Sequence, residues 1–164
     1  KMTIDEQLSA VDLSEIEAFI WSEAELLDQG NLRQWRDLFA EDGKYWLPAS
    51  WQQQDPLNHI SLIYEDKMMM AIRVENFGHR LAPSMQYPLR CSHMLGNFRV
   101  LTDSAAMITI KSNFQAIVYY QEQTLYAGTY THQLRRLANG YEIVEKRVDL
   151  INCDAEHRSI LIYL

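Results

Sequence analysis

Cys91, Ser92 and His93 stand in the stretch LRCSHMLGNF at 89–98, and Cys-x-His is half of the ligand set of a Rieske iron–sulfur centre. The chain's other cysteine, Cys153, opens the stretch CDAEH, which closes on His157. Two Cys and two His in Cys…His, Cys…His order match the ligand count of a Rieske 2Fe–2S cluster. The spacing argues against one. The second pair is Cys-x-x-x-His where the Rieske pattern has Cys-x-x-His, and Cys91 and His93 fall in a strand-like run, not on a Gly/Pro-rich loop tip. Residues i and i+2 of a strand share a face, so this pair can touch one ligand. The competing reading is a small thiol packed beside a hydrogen-bonded imidazole.

The remaining histidines are His59, His79 and His132. No two histidines of the chain make an H-x-H, H-x-x-x-H or H-E-x-x-H pattern, so spacing gives no support to a zinc or mononuclear iron site. G-x-G-x-x-G, the P-loop and the G-x-S-x-G nucleophile elbow are all missing. A general acid–base set can be assembled from Tyr45, His93, His132 and Asp149, four titratable residues on expected strands that a cupped sheet would gather. Arg147 beside Asp149 offers that carboxylate an ion pair instead. Met68, Met69 and Met70 span one helical turn, so only one or two of them can face the core. Tyr45, Trp46 and Trp51 suit either a pocket lining or core and interface packing.

These residues need elements to hold them. Ser14 with Glu17 reads as a capping box, followed by a helix whose Ile16, Phe19, Ile20, Ala24 and Leu27 share one face; Gly30 closes it. Asn31 can cap a short helix carrying Leu32, Trp35, Leu38 and Phe39. EDG at 41–43 signals a turn, and 44–48 a short strand ended by Pro48. Residues 49–58 read as a Gln-rich loop. Asp66 caps a helix over 67–77, ended by Gly78, and 79–88 with Pro83 and Pro88 form a second loop. The period then changes to two. From 108 to 120 the even positions are Ile, Ile, Ser, Phe, Ala, Val and Tyr, a half-buried strand. Residues 124–136 follow as a strand with Gly128 at a bulge or bend. ANG at 138–140 signals a hairpin, 141–152 pairs back, and 158–164 is a last strand. Helices first and long strands last predict an α+β fold, with the helices on one face of a curved antiparallel sheet.

Totals narrow the function. The 164 residues are 48% hydrophobic and 11% aromatic, enough for one folded domain over 1–164. With 15 basic against 22 acidic residues the net charge is −7, a poor match for nucleic acid or an anionic membrane. No apolar run reaches membrane-span length and no signal peptide is visible. Two distant cysteines do not make a secreted disulfide framework, so a cytoplasmic protein with reduced thiols is expected. Met2 is expected to be the natural start, with Lys1 an addition.

The order of segments carries one further reading. EAFIWSEAELLDQGNLRQWRDLFAEDGKYWLPA resembles the N-terminal signature of the small (β) subunits of aromatic-ring-hydroxylating dioxygenases, matched at Glu23, Ala24, Leu26, Leu27, Asp28, Trp35, Leu38, Phe39, Asp42, Tyr45, Trp46 and Pro48. ISLIYEDKMMMAIRV looks like the family's segment entering the third helix. RCSHMLGNFRV is similar to its central strand at Arg90, His93, Asn97 and Val100, and KRVDLINCD…ILIYL resembles its last hairpin. The resemblance spans nearly the whole chain. It implies a cystatin/NTF2-like fold, with N-terminal helices packed on a mostly antiparallel, strongly curved sheet. It further implies a homotrimer of this chain docked to three α subunits (α3β3). The α chain of that family carries the Rieske 2Fe–2S cluster and the mononuclear iron. This chain is then expected to hold no catalytic, cofactor-binding or metal-binding residue and to support assembly of a complex that cis-dihydroxylates an aromatic compound with O2 and electrons from NAD(P)H. The tyrosine–tryptophan region and ISLIY resemble the benzoate-like branch, which points to an aromatic acid. The alternative is an independent small enzyme of the same fold, a dehydratase or isomerase with its own acid–base pocket.

Overall fold

The computed structural model describes residues 4–80, 89–157, 160 and 162–164. The element order is α1 (Ile4–Asp28), α2 (Leu32–Asp37), β1 (Phe39–Pro48), β2 (Ser61–Asp66), α3 (Lys67–Arg80), β3 (Arg90–Asp103), β4 (Met107–Tyr120), β5 (Glu122–Leu137) and β6 (Gly140–Leu150). Helices come early and long strands late, as the α+β expectation has it.

Helix α1 runs through Ser14, so Ser14 and Glu17 are interior residues and not a capping box. The expected apolar face is largely right: Ile16, Ile20, Ala24 and Leu27 are buried. Gly30 ends the helix as read. Its φ of +70° lets Gly30 N donate to Leu27 O at 3.0 Å and Asn31 N to Leu26 O at 2.8 Å, a Schellman closure. Asn31 precedes α2 without a side-chain cap bond; its carbonyl instead accepts from Trp35 N at 3.0 Å. Asp66 does cap α3, its Oδ1 accepting from Met69 N at 2.8 Å. Helix α3 continues past Gly78 to Arg80, because one helical glycine costs only about 1 kcal/mol. Residues 81–88, the rest of the expected second loop with its Pro83 and Pro88, lie outside the described residues.

The six strands form one mixed sheet in the order β2-β1-β6-β5-β4-β3. All neighbours are antiparallel except β1 and β6, which run parallel and place Tyr45 opposite Lys146. EDG at 41–43 is not a turn. It lies inside β1, in the irregular stretch of the β1–β6 register between Phe39 and Lys44. Phe39, expected at the end of the second helix, opens β1. Strand β4 alternates as predicted, with Ile108, Ile110, Ser112, Phe114, Ala116 and Val118 buried. Gly128 is no bulge, since β4–β5 pairing passes through it unbroken. A side chain there would put its Cβ 1.9 Å from the Asp149 carbonyl oxygen, so β6 needs the glycine to approach. The β5–β6 hairpin turns on Ala138 and Asn139, with Leu137 paired to Gly140. The last expected strand is absent from the described part of 158–164: Ile160 and residues 162–164 are irregular. Tyr163 and Leu164 are nonetheless buried in the core with Trp35, Phe39, Tyr45 and Leu47.

Candidate functional site

The inward face of the sheet carries polar groups where an apolar alternation would be ordinary. On β5 the buried residues Tyr130, His132 and Leu134 alternate, and on β6 Lys146, Val148 and Leu150 do the same. His132 sits opposite Lys146 in the register. Glu23 projects toward them from the apolar stripe of α1, between Ile20 and Leu27. Its Oε1 accepts from Lys146 Nζ at 2.5 Å and from Trp35 Nε1 at 2.6 Å. His132 Nε2 lies 3.6 Å from Oε2, within electrostatic range but beyond a hydrogen bond. Lys146 Nζ also sits 4.3 Å from the centre of the Tyr130 ring, which stacks on Phe114 at 4.0 Å. Burial alone would raise the Glu23 pKa, but the Lys146 charge and His132 outweigh it and hold the carboxyl near 2. Burial lowers the pKa values of His132 and Lys146. Glu23, His132 and Lys146 are all fully buried, so this cluster fastens α1 to the sheet. The residue reading gave Glu23 and Lys146 no role, although each interrupts an apolar face.

The four residues of the sequence-derived acid–base set do not form one constellation. The Tyr45 hydroxyl donates to the Leu164 carbonyl at 3.3 Å and accepts from Leu164 N at 3.0 Å, inside the core; burial raises its pKa. Asp149 takes both of its contacts from Arg147, at 2.8 and 2.9 Å. His132 belongs to the Glu23 cluster, and His93 faces Asp28. Trp35 and Tyr163 stack at 4.4 Å, and the Tyr163 hydroxyl donates to Glu65 at 2.5 Å. Glu65 also binds Arg73 at 2.6 Å. Of the three methionines only Met70 is buried; Met68 and Met69 are exposed, as is Trp51.

The Cys-x-His pair behaves as its spacing predicts. Cys91 and His93 both point inward from β3 and meet the C-terminal end of α1. His93 donates to Asp28 twice, from its backbone N at 3.0 Å and from Nδ1 at 2.5 Å. Cys91 Sγ donates to the Leu27 carbonyl at 3.2 Å. Burial, with the Asp28 carboxylate beside it, pushes the Cys91 thiol up to about 12. Burial draws the His93 imidazole below its ordinary value despite Asp28. One donor atom from each of Asp28, Cys91 and His93 lies within 4.8 Å of the others. The second half of the Rieske-like ligand set is elsewhere. Cys153 follows β6, and β5 and β4 stand between β6 and β3, roughly 14 Å across at sheet spacing. His157 contacts the Asn152 carbonyl at 2.7 Å instead. Asp28 and Cys91 also line an open groove of about 470 Å3 between the end of α1, α2, α3 and the start of β3.

Comparison with known proteins gives this geometry a context. The family model described as ring hydroxylating beta subunit matches residues 22–156. The small oxygenase component of the p-cumate 2,3-dioxygenase system of Pseudomonas putida is 33% identical over 143 residues, 84% of this chain and 78% of that protein. The small subunit of 2-halobenzoate 1,2-dioxygenase from Burkholderia cepacia is 29% identical over 156 residues, 91% and 93% of the two chains. The solved β subunit of benzoate 1,2-dioxygenase from Burkholderia mallei superposes with a TM-score of 0.75 at 27% identity, covering 85% of this chain and 91% of that one.

Proposed function

Since this chain belongs to the β subunits of aromatic-ring-hydroxylating dioxygenases, we propose that residues 1–164 act as one domain serving as the non-catalytic assembly subunit of such a complex. The observation that carries the non-catalytic part is how the four residues of the sequence-derived acid–base set are held. Tyr45 and His132 are fully buried, the His93 ring has no exposed side-chain surface, and Asp149 is tied to Arg147. None is left at an open surface to move a substrate proton, which disfavours an independent dehydratase or isomerase.

In this reading the α subunit holds the Rieske cluster and the mononuclear iron, and the complex adds both atoms of O2 to an aromatic ring. The chain forms a homotrimer that holds three α subunits in a ring. Exposed apolar side chains support self-association: Trp21 on α1, Met94 and Leu101 on β3, and Ile117 on β4. Strand β3 ends the sheet order, which leaves it without a strand neighbour on one side among the described residues. The halobenzoate and cumate relatives favour an aromatic carboxylate as substrate. The complex is placed in the cytoplasm.

The test is co-expression with and without the large subunit of the same complex, followed by light scattering and product analysis. The isolated chain is expected to run as a trimer and to turn over no aromatic acid. With the α subunit it yields cis-dihydrodiol, at a rate that Tyr45→Phe and Asp149→Asn leave unchanged per assembled complex. A strict monomer at high micromolar concentration, or a turnover by the chain alone that either variant abolishes, would overturn the reading.

A further inference from the structure

The ligand count that failed for a Rieske centre is met differently at the same Cys-x-His pair. We propose that Asp28, Cys91 and His93, with the Leu27 carbonyl beside them, form a binding site for one zinc-like divalent ion at the floor of the groove between α1, α3 and β3. This goes beyond the assembly role and does not depend on it. Spacing among histidines and cysteines gave no hint of a third donor, because it comes from helix α1, 65 residues before His93.

Three observations point to a cation. The first is chemical. Carboxylate, thiol and imidazole form a mixed O, S and N donor set of the kind that holds zinc in tetrahedral sites. Their donor atoms all lie within 4.8 Å of one another. Zinc bonds of about 2.0–2.3 Å place tetrahedral ligand atoms about 3.3–3.8 Å apart. The three side chains therefore need shifts of about 1 Å, among them the opening of the 2.5 Å Asp28–His93 contact.

The second is electrostatic. Asp28 is the last residue of α1, where the helix dipole already presents negative charge. Among the described residues no lysine or arginine pairs with it. The two arginines lining the groove are committed elsewhere, Arg33 to Glu75 at 3.1 Å and Arg90 over the Tyr119 ring at 5.2 Å. A metal ion would supply the missing counter-charge, and the Leu27 carbonyl that now accepts from Cys91 Sγ adds a further oxygen.

The third is access. Asp28 and Cys91 line the open groove, so an ion can enter. On binding, the Cys91 thiol gives up its proton to solvent and becomes thiolate. The His93 ring proton moves from Nδ1 to Nε2, freeing the nitrogen that faces Asp28.

The purified full chain, stripped with a chelator, is titrated with Co2+ alone and then challenged with Zn2+. The expected result is one Co2+ per chain, with a thiolate-to-cobalt charge-transfer band and the intense visible bands of a tetrahedral site, both erased by Zn2+. Cys91→Ser removes the charge-transfer band, Asp28→Asn weakens binding more than about tenfold, and Cys153→Ser changes neither. Absence of a thiolate band in the wild type, or its survival in Cys91→Ser, overturns the site. Should Cys91→Ser not fold, alkylation of the wild type read by mass spectrometry decides: Zn2+ shields Cys91 and leaves Cys153 reactive after mild unfolding if the site exists. Equal alkylation of Cys91 with and without Zn2+ overturns it.

Discussion

Helix α1 turns two carboxylates toward two strand histidines, Glu23 to His132 and Asp28 to His93, and the fold treats them oppositely. Glu23 is fully buried and receives a lysine of its own, 2.5 Å away. Asp28 keeps 29% of its side chain exposed and receives an imidazole and a backbone N–H, with no lysine or arginine pair among the described residues. The difference shows where burial dictates structure and where it leaves room. A buried carboxylate without a cation is too costly to keep, so Glu23 has to find its counter-charge within the chain. A carboxylate at the edge of a groove can rely on solvent or on an added ion.

Breaking the buried charge pair should have the largest effect. Lys146→Met leaves Glu23 charged and unpaired in the core and is expected to cost about 3–5 kcal/mol in urea unfolding. Replacing both partners, as in Glu23→Gln with Lys146→Met, should recover most of that loss. The matching change at the groove, Asp28→Asn, is expected to cost about 1–2 kcal/mol, because it weakens hydrogen bonds that solvent partly replaces. If Asp28→Asn proves as damaging as Lys146→Met, the contrast between the two sites fails.

Acid sharpens the same contrast. His132 and His93 are both held below the ordinary histidine value of 6.5 by burial. The unfolded chain therefore takes up those protons first, and stability falls as pH drops through 6.5. Glu23, depressed from 4.5 to about 2, loses its contribution in a second stage across that lower window. Thermal melts from pH 8 to pH 3 should show both stages, and His132→Gln should flatten the upper one and narrow the lower one, since His132 helps to hold the Glu23 carboxyl down. Smaller still is Cys91→Ser, expected to cost about 1 kcal/mol, since a hydroxyl keeps the bond to Leu27 but packs less well. The smallest is Arg33→Ala on the groove rim. Its pair with Glu75 is 71% and 51% exposed, and the change should stay within about 0.5 kcal/mol.

How much of this was legible depends on the range of the interactions. Strand β4 could be read residue by residue because its inward positions alternate without interruption. The Cys91 and His93 shared face followed from period two alone. Asp28 could not be joined to them, since nothing local links the end of a helix to a strand begun more than sixty residues later. Glu23 and Lys146 left a readable signal, a Glu within a helical apolar stripe and a Lys within a strand's apolar alternation. Burial of that kind implies a partner but does not name it. Strand β2 was missed because Ser61–Asp66 is short and buries only Ile63 and Glu65. EDG was misread because pairing with β6 on either side, at Phe39 and at Lys44, carries the strand through it as an irregularity. Ser14 and Glu17 suit a helix start, but they also sit without strain inside a longer one.

The parallel pairing of β1 with β6 bears on how the protein is made. Tyr45 finds its place beside Lys146, so the sheet cannot close until about a hundred further residues have left the ribosome, some 5–20 s later at ordinary elongation rates. Throughout that interval the nascent chain carries Trp35, Phe39 and Tyr45 with no sheet to cover them and Glu23 without its lysine. The growing polypeptide is thus most vulnerable to clumping in mid-synthesis, and a chaperone that shields its first fifty residues would raise the yield more than one acting on the released product.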